Sequence, residues 1–437
     1  TLTLGGCGKT VALASGASQT GFGRTGTVDW QTGSIKTSTF TAVSGQGFFA
    51  DTSSGAFTMN LPSGTAGAIV SVVDYTNTFQ THNLTVTPNG SQKIGGVNAS
   101  FTAKTEGQSL TWVYVDDTEG WKNVQDSTSD AKGNAFIVAT GGTESTCGNC
   151  KIHTFTGPGT FTVTDTAICA AHNIVSHLIV AGGGGGASGG PSNNAVGGGG
   201  GGGFREVKNP ATPYTASPLD GYCTPANRVT VSTSPGSYPI VVGGGGSGGP
   251  APAAGGAQTG SNSSFGGITS AGGAGGSRSS GEPGGSGGGA GGGATSRAGG
   301  TGNTPPVTPA QGSNGGGSPP ANPDHAAGGG GGATEAGVTG GPGGPNPSGR
   351  GGAGATTNIT GSPTAFSGGG GGSASPGKGP AGAASPCGTG SAGGPEPSGA
   401  TSPGTDNRGG GAGGATGPGN GGGNGGSGIV VIRYKIG

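Results

Sequence analysis

Charge and apolar bulk are what this sequence has least of. Charged residues make up 8% of 437, and 18 basic side chains balance 18 acidic ones, so the formal net charge is zero. A nucleic-acid partner needs a concentrated basic face, and a polybasic membrane anchor needs clustered Lys and Arg; the sequence offers neither. No apolar run reaches the roughly 18 residues of a transmembrane helix, so membrane insertion is not expected. Apolar spacing of three to four residues is nearly missing, and good helix formers are scarce, which excludes a helical bundle. No signal peptide is visible and the chain opens on Thr1, so a processed chain or a fragment of a longer one is expected.

Catalytic signatures are also missing. The histidines are His82, His153, His172, His177 and His325, and none stands beside a nucleophile in a familiar spacing. Gly6-Cys7-Gly8-Lys9-Thr10 ends like a phosphate loop but lacks the upstream glycine and a following helix, so it reads as a chance match. Cys147-Gly148-Asn149-Cys150 with His153 lacks the second pair that a zinc site needs. A local disulfide or free thiols are the readings left for it, and Cys169 with Cys223 is a further pairing that sequence leaves open. Asp324-His325 reads as a polar loop, and the sequons at Asn83, Asn89, Asn98, Asn262 and Asn358 are short enough to arise by chance. No enzyme, no cofactor and no metal is expected.

What the chain does have is glycine, 114 residues of it, with 30 prolines. Most of the glycine lies between Ala181 and Gly428, in short tracts such as Gly272-Gly273-Ala274-Gly275-Gly276 and Gly284-Gly285-Ser286-Gly287-Gly288-Gly289. Between Gly243 and Gly428 the large apolar side chains are Phe265, Ile268, Val307, Val338, Ile359 and Phe366. So few groups cannot build a core over that length, because the hydrophobic driving force scales with apolar area buried. Composition alone points to disorder. The ordered alternative is a bundle of polyglycine-II helices, which repeat every three residues and leave their amides free to pair with neighbours. Only glycine lets such backbones approach closely enough, and a dense set of main-chain hydrogen bonds must offset the ordering entropy.

Outside the glycine tracts, short Thr/Val/Phe-rich runs between Gly, Pro, Asn and Ser read as all-β. Residues 1–26 read as a lead-in. Residues 27–125 are predicted to form a β-sandwich or barrel-like domain with strands at 39–43, 47–50, 56–61, 68–74, 84–87, 110–115 and 121–124. Trp112 and Trp121 are expected in its core, with sugar stacking as the alternative role. Residues 126–134 read as a linker. In 135–437, strands are predicted at 136–139, in a hairpin of 152–156 with 160–164, and in three apolar runs at 177–180, 239–242 and 429–434. Those three runs are predicted to share one small sheet at the base of the glycine bundle.

Several segments together carry a resemblance. They are Val28-Asp29-Trp30-Gln31-Thr32-Gly33, Gly47-Phe48-Phe49-Ala50-Asp51-Thr52-Ser53-Ser54-Gly55-Ala56, Glu106-Gly107-Gln108-Ser109-Leu110 and Val113-Tyr114-Val115-Asp116. Lys151-Ile152-His153-Thr154-Phe155-Thr156, Val180-Ala181-Gly182-Gly183 and Gly425-Gly426-Ser427-Gly428-Ile429-Val430-Val431-Ile432-Arg433-Tyr434 complete the set. In this order the sequence resembles glycine-rich tail-fibre proteins of marine bacteriophages, notably cyanophages. The glycine region is similar to the polyglycine-II sandwich of tip adhesins of T-even-like phages.

The resemblance implies a virion fibre, a homotrimer joined to upstream tail-fibre or baseplate proteins, that recognises a host surface glycan or outer-membrane protein through loops between the glycine helices. The chemically diverse inserts are 205–238, 301–325, 355–366 and 373–408. Within and between them Phe265, Ile268, Val307, His325, Arg350, Ile359, Phe366 and Arg408 are the candidate receptor contacts, with loop packing as the competing role for each. A purely structural fibre or decoration protein is the runner-up. Ice binding, another use of polyglycine-II bundles, requires a flat face of small residues, and the proline-bearing inserts argue against it.

Overall fold

The computed structural model describes residues 28–127, 135–190, 194–251, 255–320, 326–342, 347–375, 377, 379–394, 401–417 and 419–437. The predicted lead-in, the Gly6–Thr10 segment and His325 lie outside these residues. The chain divides into two compact units, Thr1–Lys132 and Gly133–Gly437. No α-helix occurs among the described residues; helical structure is confined to short 3-10 turns such as Ala170–Asn173 and Pro225–Asn227.

The first unit has strands β1 (Asp29–Trp30), β2 (Phe40–Thr41), β3 (Gln46–Ala50), β4 (Phe57–Asn60), β5 (Ile69–Asp74), β6 (Leu84–Thr87), β7 (Phe101–Ala103), β8 (Ser109–Asp116) and β9 (Gly120–Ser127). They form a five-stranded sheet, β1-β3-β5-β8-β9, and a four-stranded sheet, β2-β4-β6-β7. From β2 to β6 successive strands alternate between the sheets, so the pairs β3–β5, β2–β4 and β4–β6 are parallel. Each strand in one sheet is thereby the crossover that a parallel pair in the other requires.

The residues inside are set by period-two alternation, as in β8, where Leu110, Trp112 and Tyr114 are buried and Thr111 and Val113 are only half-buried. Trp112 and Trp121 are fully buried in this core with Met59, Leu84 and Phe48, which removes them from any sugar-stacking role. The predicted linker starts too early, since Asp126 and Ser127 extend β9 and pair with Leu110 and Ser109. The rest of that linker lies outside the described residues.

The second unit has β10 (Val138–Thr140), β11 (Thr143–Cys147), β12 (Cys150–Phe155), β13 (Gly159–Asp165), β14 (Ile174–Val180), β15 (Phe204–Val207), β16 (Val229–Thr230), β17 (Ser237–Ile240), β18 (Ser263–Phe265), β19 (Ile268–Ser270), β20 (Ala355–Thr357), β21 (Thr364–Phe366) and β22 (Ile429–Lys435). Its main sheet runs β11-β12-β22-β14-β15, with β16 paired to β14. Two expectations are corrected here. β12 and β13 are no hairpin: β12 pairs with β11 and β22, whereas β13 joins β10 and β17 in a three-stranded sheet. The apolar run at 239–242 likewise pairs through Pro239 and Ile240 with β13, so only the runs at 177–180 and 429–434 share the main sheet. The short Gly157-Pro158-Gly159 turn reverses the chain, but a turn's length does not decide which sheet the next strand enters.

β14 and β22 are buried on both faces. Val175, Ile179, Val430, Ile432 and Tyr434 enter one core with Phe161 and Phe265. Leu178, Val180, Ile429 and Val431 enter the other with Phe204, Ile359 and Phe366. Four of the six scarce apolar residues of the glycine region therefore plug the sheet: Phe265 and half-buried Ile268 on one side, Ile359 and Phe366 on the other.

The glycine tracts are extended and bond sideways. Gly197, Gly200 and Gly203 donate their N–H groups to the carbonyls of Ser277, Ala274 and Ala271. Gly198 and Gly201 donate to Gly328 and Gly331, and Gly199 and Gly202 to Ala412 and Gly409. The carbonyls complete the pattern. Gly197 and Gly200 accept from Ala187 and Gly184, Gly198 and Gly201 from Gly289 and Ser286, and Gly199 from Gly370. Every third residue thus meets the same neighbour, and the tract is surrounded by six others. An α-helix would bond within itself, and a strand would bond to two neighbours with period two.

Glycine is obligatory at such a position. A Cβ on Gly199 would overlap the carbonyl of Gly184, one on Gly200 that of Ser286, and one on Gly202 that of Ala181. We therefore expect Gly199→Ala or Gly330→Ala, whose Cβ would strike the Gly199 carbonyl, to destabilise the second unit by about 2–3 kcal/mol. Gly244→Ala, with no atom within 4 Å of the new methyl, should stay within about 0.5 kcal/mol of the parent. Denaturant titration distinguishes the two.

The main sheet also buries His177, with neither ring nitrogen in a well-formed hydrogen bond and its ring edge-on to Phe265 at 5.8 Å. Burial lowers its pKa to about 4, so the folded imidazole is neutral. The unfolded chain takes up this proton near pH 6.5 and the folded chain does not. Stability is therefore intact above that pH and falls as pH drops toward 4, by about 3 kcal/mol from this residue. His177→Leu should remove that part of the pH dependence in unfolding measured between pH 7 and pH 4.

Candidate recognition surface

Where the loops lie follows from the direction of the tracts. Residues 184–187 run antiparallel to 197–200, as Gly184 and Ala187 donate to Gly200 and Gly197, and antiparallel to 423–426, as Gly183 and Gly186 donate to Gly426 and Gly423. Residues 328–333 run antiparallel to 335–338 in the same way. The chain therefore travels away from the main sheet and back repeatedly, and its connections fall at two ends.

At the sheet end are the 208–236 insertion, the hairpins β18–β19 and β20–β21, and the 303–311 loop. At the opposite end, described residues of the connections near 188, 250, 294, 319, 347, 375 and 420 meet one another. Ser188 bridges to Gly255 and Ala415 and donates its hydroxyl to the Asn420 carbonyl at 2.9 Å. Gly292 donates to Ala195, and Gly293 bridges to Pro320.

Serine hydroxyls terminate the tracts at this end. Ser373 and Ser375 accept the N–H groups of Val196 and Ala195 at 2.9 and 3.0 Å, and Ser348 accepts that of Ala327 while donating to the Ser373 carbonyl at 2.7 Å. Where a tract ends its amides lose their lateral partners, and a buried amide left unpaired would be costly. Arg297 performs the same task for carbonyls, donating to Gly292 at 2.8 Å and to Arg278. Beyond this capped layer the side chains of Ala294, Thr295, Ser296, Pro250, Pro320 and Pro347 are exposed. They are small or rigid and carry no charge, and they share one end of a stiff support.

The residues singled out from sequence do not gather at one place. Phe265, Ile359 and Phe366 are fully buried core groups, out of reach of any partner. Ile268 packs on the core of Phe265. Val307 is half-buried in a loop closed by Asn303, which accepts its N–H at 3.1 Å and donates to its carbonyl at 3.2 Å. Arg350 makes a two-pronged ion pair with Glu335 at 3.0 and 2.6 Å, which raises the pKa of the guanidinium and lowers that of the carboxyl. Arg408 lies over the Phe366 ring at 5.0 Å, and burial lowers its pKa. All of these belong to the sheet end or to the tracts. His325 lies outside the described residues.

A second feature was not singled out from sequence. An open cleft of about 490 Å³ at the sheet end is bordered by Arg228, Thr230, Pro235, Ser237, Tyr238, Pro239 and the Gly266-Gly267 turn. Its residues come from three separate stretches, so no local spacing could have brought them together. At the other end of the main sheet, Cys147 and Cys150 are cross-strand partners. They are free thiols, as are Cys169, Cys223 and Cys387. His153 commits its ring to the Gly141 carbonyl at 2.7 Å and the Tyr434 hydroxyl at 3.0 Å. Among the described residues no three His, Cys, Asp or Glu side chains are grouped to hold a metal.

No curated protein matches the chain. A family model described as a glycine-rich domain matches residues 154–435, which takes in β13 to β22 and every glycine tract described above. The chain therefore belongs to the glycine-rich domain family.

Proposed function

We propose that the second unit is a polyglycine-II lattice and that the chain is a bacteriophage tail-fibre adhesin, presenting the loops opposite the main sheet to the host cell surface. The three-residue period of lateral hydrogen bonds supports the lattice. The observation that carries the adhesin reading is the separation of labour between the two ends. Phe265, Ile268, Ile359 and Phe366 pack at the sheet end, while the opposite end is capped by Ser188, Ser348, Ser373, Ser375 and Arg297 and, among the described residues, leaves Ala294, Thr295, Ser296, Pro250, Pro320 and Pro347 exposed. Loops of that kind can change sequence without disturbing what holds them.

A stiff support also lowers the entropy lost when several loops contact one surface together. The partner is a host surface glycan or outer-membrane protein. The homotrimer, the link to upstream fibre or baseplate proteins and the location on the virion come from the resemblance to phage fibres. The near-zero net charge fits a contact that does not depend on long-range electrostatic attraction.

The purified chain should adsorb to host cells and block infection by the phage that carries it. Thr295→Trp and Pro320→Trp should abolish adsorption while unfolding at the parent's temperature. Lack of adsorption by the parent chain, with both substitutions leaving phage host range unchanged, would instead indicate a rigid spacer.

A further inference from the structure

The cleft at the sheet end has the chemistry of a ligand site that the loop surface does not need. Its one charged side chain is Arg228. Nε of Arg228 donates to the Tyr222 carbonyl at 2.8 Å, and the guanidinium stacks on the Tyr222 ring at 4.2 Å. Both contacts are to Tyr222, one to its carbonyl and one to its ring, and together they orient the guanidinium. Among the described residues its terminal nitrogens have neither a hydrogen-bond acceptor nor a carboxylate.

A guanidinium so oriented and left without a counter-ion favours a planar anion that can accept two parallel hydrogen bonds, as a carboxylate does. Tyr238 is fixed as well: its hydroxyl accepts the Ser232 N–H at 2.8 Å, and its ring packs 6.2 Å from Phe265. Pro235 and Pro239 line the cleft with it, as do Thr230, Ser237 and Thr269, so apolar rings and hydroxyl-bearing residues border the same space.

Flat rings beside hydroxyls suit a sugar, which has an apolar C–H face and an equatorial rim of hydroxyls. We infer that this cleft binds an acidic saccharide, with the carboxylate of one uronic-acid unit on Arg228 and its ring against Tyr238. About 490 Å³ accommodates one or two sugar units and falls within the usual size of ligand sites. A nucleic acid is disfavoured, because the cleft supplies one cation where a polyphosphate backbone needs several. The inference does not depend on the adhesin reading. The site lies at the sheet end, and its residues are separate from the loops assigned to host contact.

The test is saturation-transfer NMR and calorimetry on the whole chain with glucuronic acid, glucose and acetate as probes. Glucuronic acid should bind saturably and at least about tenfold more tightly than either glucose or acetate. Arg228→Gln should abolish the preference over glucose, and Ser237→Trp, which places a bulky ring in the cleft from an exposed strand position, should abolish binding. Raising the salt concentration should weaken binding of glucuronic acid to the parent chain, a measurement that needs no variant. Equal affinity for glucose or for acetate, binding that survives both substitutions, or no binding of glucuronic acid at all would overturn the assignment. Adsorption to cells by the Ser237→Trp chain, measured in parallel, separates the fate of this site from that of the opposite loops.

Discussion

The second unit depends on one interaction: an amide of one glycine tract donating to a carbonyl of the next. The bond from Gly199 to Ala412 and the bond returned by Gly370 are individually ordinary, each contributing about 1 kcal/mol net. Their number and direction are what matter. Because successive residues address different neighbours, a tract cannot slide or rotate without breaking bonds on several sides together. The arrangement has no tolerance for side chains where carbonyls approach the Cα, which is why residues 197–203 are glycine throughout. Alanine enters only where a neighbour leaves space, as at fully buried Ala274, Ala290, Ala327 and Ala412.

Apolar burial then has a narrower task. The doubly covered strands β14 and β22 need material on both faces, and the glycine region delivers it through two short hairpins. Phe366 ends β21 directly before the tract that opens at Ser367, and Phe265 ends β18 at the turn of the hairpin whose second strand, β19, leads into the tract at Ala271. The same residues therefore complete the cores and set the starting height of the tracts. Polar groups near the sheet follow the same economy. Arg433 is almost wholly buried, yet donates to the carbonyls of Asn358, Ile359 and Pro213 and lies over Tyr214 at 5.1 Å, tying the insertion and β20–β21 to the central strand.

The all-β character, most strand positions of the first unit and the burial of Trp112 and Trp121 were legible from period-two alternation and turn residues, which are local signals. β1 and β7 have no counterpart among the predicted strands: Asp29–Trp30 and Phe101–Ala103 are two and three residues long and carry no alternating apolar run of their own. Sheet membership was not legible: β12 and β13 follow one another across a turn yet enter different sheets, a choice decided by partners near residues 240 and 430. Phe265, Ile359 and Phe366 are the chemically distinctive residues of a glycine background. What distinguishes them is apolar bulk, and that is the property that buries them. Among the described residues, exposed positions at the opposite end such as Pro250, Ala294, Thr295, Ser296 and Pro320 are alanine, serine, threonine and proline, and in this composition such residues do not stand out.

β22 lies between β12 and β14 and pairs with both, although it follows them by more than 240 positions in the sequence. On the ribosome the strand that must fill the middle of the sheet is made after all the glycine tracts. Until it arrives, Ile152, Leu178 and Ile179 have no partner strand between them, and the first tracts have no finished base to grow from. Contacts this distant in sequence are slow to form. Nascent chains of this kind must therefore remain soluble while incomplete, and the scarcity of apolar bulk in the intervening stretch leaves a waiting chain little exposed hydrophobic surface through which to aggregate.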